Sequence, residues 1–118
     1  VNHRFTPHIA FIRTGQSLKL KNSMNESINF RNQPLNATPQ NLLFIIDAER
    51  LIQSPYTKSE PLPNQYTSDI QPWMKGYLLA LDHPFAAITD ADGRFEIRSL
   101  PPGEHHFTVW HERRGYLN

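Results

Sequence analysis

Short apolar segments separated by turn residues are the feature of this sequence that most restricts its fold. Leu18 and Leu20 alternate with Lys19 and Lys21, and this period of two is typical of a half-buried β-strand. Ten prolines and five glycines interrupt the apolar segments and disfavour long helices. Strands at roughly 8–12-residue spacing between turn signals predict a β-sandwich or barrel.

The individual segments differ in how clearly they predict strands. Residues 41–53 predict a strand followed by a short helical or irregular turn, and residues 54–69 predict a long surface loop with a brief extended edge. The apolar run at 76–82 predicts a central strand, and "DADG" (90–93) predicts a tight turn. Further strands are expected at 8–13, 17–23, 27–32, 85–90, 94–100 and 104–112.

Length and charge exclude several classes of protein. The 118 residues suit one domain, 1–118, and because the chain begins with Val we expect it to be processed or trimmed. A net charge of +1 is too balanced for a nucleic-acid partner. The absence of cysteine excludes disulfides and thiolate ligands, and no apolar run has the length of a membrane span.

Five motifs together suggest a family. They are "KNSMNESINF" (21–30), "SDIQPWMKGY" (68–77), "DHPFAAITDADGRFEI" (82–97), "LPPG" (100–103) and "VWHE" (109–112). In this order they resemble the plastocyanin-like (cupredoxin) domains of secreted bacterial proteins. The stretch from "DADGRFEI" to "VWHE" is also similar to carboxypeptidase regulatory-like modules.

The resemblance implies a fold and a compartment. We expect an all-β, cupredoxin-like Greek-key β-sandwich of roughly seven to eight strands. An added C-terminal β-hairpin is expected to pair residues 94–98 with 105–112. The implied location is periplasmic or extracellular.

The copper ligands that the family would place in this chain are largely absent. By position, the two histidines correspond to Ile28 and Gln71, the cysteine to Ser68, and the axial methionine to Met74. A type 1 copper site depends on its thiolate and two imidazoles, and Ile28 and Ser68 supply neither. We therefore expect a degenerate site without metal or other cofactor, in which Met74 fills the vacated space.

The spacing of the histidines and carboxylates does not favour a metal-binding or catalytic site. His105 and His111 stand about 20 Å apart along an extended strand, and His105 and His106 point to opposite faces. His83 and His111 are expected to hydrogen-bond between strands rather than to bind metal. No arrangement of nucleophile, base and acid is present in the sequence, so we expect no enzymatic activity.

Aromatic residues are the best indication of a binding surface. Tyr56, Tyr66, Trp73 and Tyr77 are expected to cluster at the loop end of the sandwich, where they would anchor a protein partner or stack on sugar. Burial of Trp73, Tyr77 and Phe85 in the core is the simpler alternative. The leading hypothesis is a non-catalytic protein-interaction or accessory module, with a carbohydrate-binding module and a copper electron-transfer protein as alternatives.

Overall fold

The computed structural model describes residues 4–117, and within them the chain is all-β. No helix is present in this part of the chain, and so none of a length and apolarity that would cross a membrane. The described strands are β1 (Ile9–Arg13), β2 (Leu18–Lys21), β3 (Ile28–Asn32), β4 (Gln40–Phe44), β5 (Glu49–Ile52), β6 (Asn64–Thr67), β7 (Lys75–Leu81), β8 (Val109–His111) and β9 (Gly115–Leu117). The predicted all-β class is confirmed.

Five of these strands form one mixed sheet in the order β1-β7-β6-β3-β4. β1 runs parallel to β7, and the other neighbours are antiparallel. β2 and β5 form a second, two-stranded antiparallel sheet, and β8 and β9 a third. Strands predicted at 8–13, 17–23, 27–32 and 76–82 are confirmed, and β7 lies in the interior of the large sheet as its apolar sequence indicates.

The core lies between the large sheet and the β2–β5 pair. The inner face of the sheet carries buried Phe30, Phe44, Leu78 and Ala80, and along β4 and β7 these alternate with more exposed neighbours. Leu18 and Leu20 of β2 pack against this cluster from the other side. The arrangement is therefore sandwich-like, with one wide layer and one narrow layer.

The segment 41–53 forms a strand followed by an irregular turn, as predicted. β4 ends at Phe44, and a turn closes where the Ala48 amide donates to the Ile45 carbonyl at 3.0 Å. Asp47 has a φ of 60°, a left-handed conformation that Asp tolerates better than most residues. β5 then pairs with β2.

The prediction of a surface loop at 54–69 is wrong for its most important residues. Tyr56 and Glu60 are buried, and β6 lies inside the large sheet between β7 and β3. The Glu60 carboxylate accepts backbone N–H bonds from Leu35 and Asn36, both at 2.6 Å. These charge-assisted bonds hold the loop against the segment after β3 and explain how a carboxylate is tolerated at a buried position.

The C-terminal hairpin lies at a different place from the predicted one. Residues 82–108, which we call the arm, form no strand, so the predicted strands at 85–90 and 94–100 and the pairing of 94–98 with 105–112 are wrong. Instead, β8 pairs with β9, placing Trp110 opposite Tyr116. The turn at 90–93 is confirmed, because Asp90 Oδ1 accepts from the Asp92 and Arg94 amides at 2.9 Å.

Candidate functional site

The four positions that the family resemblance assigns to copper ligands come together at one end of the large sheet. The loop 68–74 joins β6 to β7, and the pairing of Arg31 with Thr67 directs it toward the start of β3, where Ile28 lies. Ile28, Ser68, Gln71 and Met74 are all buried, with exposed fractions of 2–6%. The fold therefore brings together the four positions that the resemblance grouped.

Hydrogen bonds within the loop fix its shape. The Ser68 hydroxyl donates to Asn29 Oδ1 at 2.9 Å, and it accepts from the Gln71 amide at 3.3 Å. The Met74 amide donates to the Gln71 carbonyl at 2.9 Å, which closes the turn ahead of β7. Ser68 is thus a structural hydroxyl with its bonding capacity used inside the protein.

Asn29 is the residue that joins the loop to the sheet, and the sequence analysis missed it. Its Oδ1 also accepts from the Asp69 and Ile70 amides at 2.6 and 3.3 Å. Its Nδ2 donates to Asp69 Oδ2 at 3.0 Å and to Asn41 Oδ1 at 3.3 Å. Asparagine is depleted in strands, so an Asn inside a predicted strand was the signal that could have drawn attention to it.

The donor set at this site does not fit copper. Ser68 and Gln71 offer only oxygen and amide groups close together, with Ser68 Oγ 3.3 Å from Gln71 Oε1, and Ile28 has no donor atom. The soft thioether of Met74 is the weak axial ligand of such sites and cannot replace the missing thiolate and imidazoles. Ile28 and Met74 instead belong to the buried apolar core, and Ser68 and Gln71 hydrogen-bond to each other within the loop.

Exposed apolar side chains lie on this loop and on the neighbouring end of β4. The pairing of Ile28 with Phe44 places the end of β4 at the same end of the sheet as the loop 68–74. We define the end patch as the large apolar residues exposed there, and Trp73 is the sole aromatic among them, at 64% exposure. The end patch consists of Leu43, Ile45, Ile46, Ile70 and Trp73.

The predicted aromatic surface is wrong for two of its four members. Tyr56 and Tyr66 are buried, at 1% and 7% exposure. Tyr56 bonds to Asn32, which lies at the opposite end of β3 from Ile28, so it does not lie near the end patch. Trp73 is 64% exposed, so the alternative that it is buried in the core is wrong, and Tyr77 is half-buried against Trp110 with ring centroids 5.0 Å apart.

The histidines of the described segment make local or surface contacts. His83 Nδ1 accepts from the Phe85 amide, and His111 Nδ1 accepts from the Arg113 amide, both at 3.1 Å. The expected bonds between strands are therefore bonds within turns. Among residues 4–117, no group of three or more His, Asp or Glu side chains is placed to hold a metal ion.

His8 makes one contact that sequence reasoning did not anticipate. Its Nε2 lies 2.7 Å from Glu112 Oε2, which connects the start of β1 to the β8–β9 hairpin. The hydrogen bond from His8 lowers the pKa of Glu112 below its ordinary value. Together with the contact of Trp110 on Tyr77, this pair fixes the hairpin on the outer face of the large sheet.

Comparison of the chain with protein-family models, with curated proteins and with solved structures gives no match in any of the three. The family resemblance therefore depends on the motifs alone.

Proposed function

We propose that this chain is a metal-free, cupredoxin-like module of an exported bacterial protein, and that it docks onto a protein partner through the end patch. The observation that carries the proposal is the concentration of five exposed, large apolar side chains at one end of the sandwich. Several large apolar side chains exposed at one end of a small domain favour a binding role for that end. Its cupredoxin-like character and exported setting are supported by the sequence motifs.

Hydrogen bonds already hold the loop that carries part of the end patch. Asn29, Ser68 and Gln71 hold the loop that carries Ile70 and Trp73, so binding would order little additional backbone. Preorganisation of this kind lowers the entropic cost of association. The Arg31–Asp69 ion pair, 3.2 Å apart, lies beside the loop and supplies the polar rim that protein interfaces commonly have.

The composition of the end patch favours a protein over a carbohydrate. Four of its five side chains are aliphatic, and aliphatic groups do not stack on sugar rings as aromatic faces do. A sugar site at this end would have Trp73 as its one exposed aromatic ring among the predicted residues, because Tyr56 and Tyr66 are buried. Copper electron transfer is opposed by the donor set at Ile28, Ser68 and Gln71.

A matched pair of substitutions tests the proposal. Ile45 in the end patch and Leu35 near the opposite end of β3 are both 66% exposed. Ile45→Lys is expected to weaken binding to a stoichiometrically co-purified partner by about tenfold or more, because a charge is buried in the apolar centre of the interface. Leu35→Lys is expected to leave the affinity unchanged.

Other results would overturn the proposal. Equal effects of the two substitutions would place the interface elsewhere. Polysaccharide binding that is lost in Trp73→Ala would favour the carbohydrate alternative. An intense blue colour on addition of Cu²⁺ to the purified protein would favour electron transfer.

A further inference from the structure

A cleft of about 390 Å³ lies between the inner face of the large sheet and β2. Its walls include Phe5, Leu18, Leu20, Met24, Phe44 and Leu78. Protein interiors are close-packed and contain few voids larger than a water molecule. This cleft is larger than such voids and partly open to solvent, so a ligand can enter it, and its volume falls near the lower end of the roughly 300–1,000 Å³ typical of small-molecule sites.

The charges along the cleft all have one sign. Arg4, Lys19 and Lys21 are among the lining residues, and no Asp or Glu is. Lys19 is already paired with Glu49, at 2.6 Å. Arg4 is exposed and takes part in none of the ion pairs found among residues 4–117.

We propose that the cleft binds a single-chain anionic amphiphile, such as a medium-chain carboxylate. Its alkyl tail would lie against the apolar walls formed by Leu20, Met24 and Phe44, and its anionic head would lie near Arg4 at the mouth. Burial of the tail supplies the affinity, and the guanidinium supplies the preference for an anion. None of the five end-patch residues lines the cleft, although Ile28, Asn29 and Met74 beside that patch do, and failure of ligand binding would leave the proposed docking function intact.

The chain offers a direct probe of occupancy. Its two methionines, Met24 and Met74, both line the cleft. With ¹³C-methyl methionine labelling, titration of the whole protein with decanoate below its micellar concentration is expected to shift both methyl resonances. Affinity across octanoate, decanoate and dodecanoate is expected to rise roughly fourfold per added methylene until the cleft is full.

Two pairs of variants separate the apolar and anionic parts of the proposal. Ala10→Leu, which fills part of the cleft, is expected to abolish or sharply weaken binding, whereas Ala48→Leu, outside the cleft, is not. Arg4→Gln is expected to weaken decanoate binding about two- to fivefold without changing the binding of decanol. Arg50→Gln, on exposed β5 outside the cleft, is the control.

The proposal is overturned if decanoate leaves both methionine resonances in place, or if affinity does not depend on chain length. It is also overturned if Ala10→Leu binds as well as Ala48→Leu. Equal loss of decanoate and decanol binding in Arg4→Gln would contradict the anionic head, and an unaltered circular dichroism spectrum would verify that each variant is folded.

Discussion

The sandwich formed by residues 9–81 and the arm at 82–108 have similar sequence patterns and very different structures. Leu18 and Leu20 alternate with polar residues, and so do Phe95 and Ile97 in the arm. The first pair lies in a paired strand that packs on the core. In the arm no strand forms, and Phe95 is 67% exposed.

The difference shows that alternation specifies a strand only where a partner and an opposing layer are available. An isolated two-stranded hairpin is at most marginally stable in water, because it buries too little apolar surface. Pro101 and Pro102 also interrupt the extended pattern of the arm, since neither has a backbone N–H to donate. The arm is nevertheless held at both ends, by the bond from Arg13 to the Asp82 carbonyl and by the β8–β9 hairpin.

The largest expected effect tests this contrast with one residue type in the two regions. Phe44 is 3% exposed in β4, and Phe95 is 67% exposed in the arm. Phe44→Ala is expected to lower the free energy of unfolding by about 4 kcal/mol, because it leaves a cavity in the core. Phe95→Ala is expected to change it by less than about 0.5 kcal/mol.

Urea denaturation followed by tryptophan fluorescence measures both changes. Refolded wild-type protein with the same midpoint as the native sample is the control for reversibility. A loss of more than about 1.5 kcal/mol in Phe95→Ala would mean that the arm packs on the sandwich in solution, and the contrast between the two regions would fail.

This same contrast explains which parts of the fold the sequence could predict. β1, β3 and β7 carry their own apolar residues and were predicted near their observed bounds. β6 reads "NQYT", which has little apolar content, and it is a strand because β3 and β7 lie on either side of it. Its place inside the sheet is determined by contacts that are distant in sequence, and the local pattern indicated only a brief extended edge within residues 54–69.

Of the five end-patch residues only Trp73 was proposed from the sequence, whereas the motif resemblance concerned the buried positions beside it. The motif resemblance brought Ile28, Ser68, Gln71 and Met74 together as a set. The role of Asn29 depends on where its amide meets the loop 69–70, which only the fold determines. The exposure of Tyr66 was predicted wrongly because its hydroxyl finds a partner in the Pro7 carbonyl at 2.6 Å, which permits burial of the ring.

The second expected effect compares two glycines. A Cβ on Gly76 in β7 would clash with the ring and the hydroxyl oxygen of Tyr66, and this hydroxyl donates to the Pro7 carbonyl. Gly76→Ala is therefore expected to destabilise the sandwich by about 2 kcal/mol through overpacking. A Cβ on Gly93, in the arm, would contact nothing within 4 Å, although its φ of 80° strains any other residue.

Gly93→Ala is expected to disturb the turn at 90–94 without moving the midpoint of global unfolding, because the arm contributes little to the core. Thermal unfolding with a calorimetric check of two-state behaviour distinguishes the two variants. Equal midpoints for Gly76→Ala and the wild type would show that Tyr66 moves aside without cost.

The smallest effect concerns hydroxyl groups. The buried Tyr56 hydroxyl donates to Asn64 Oδ1 at 2.9 Å and accepts from Asn32 Nδ2 at 3.0 Å. Tyr56→Phe leaves two buried polar groups without that partner and is expected to cost about 1–2 kcal/mol. Beyond the arm, Tyr116 donates to the Pro61 carbonyl at an exposed position, and Tyr116→Phe is expected to cost less than about 0.5 kcal/mol.

The dependence of stability on alkaline pH is a second way to compare Tyr56→Phe with Tyr116→Phe. Burial, reinforced by the charge of Glu60, raises the pKa of Tyr56 from its ordinary 10.0 to about 12, and burial raises the pKa of Tyr66 to about 12 as well. Between pH 10 and pH 12 the unfolded chain releases these protons more readily than the folded chain, so stability is complete below pH 10 and falls across that range.

Tyr56→Phe removes one of the two groups and is expected to make the fall in stability shallower, whereas Tyr116→Phe is expected to follow the wild-type curve. A slope unchanged in Tyr56→Phe would mean that the Tyr56 hydroxyl is accessible to solvent, and the loop 54–63 would then belong with the arm rather than with the sandwich.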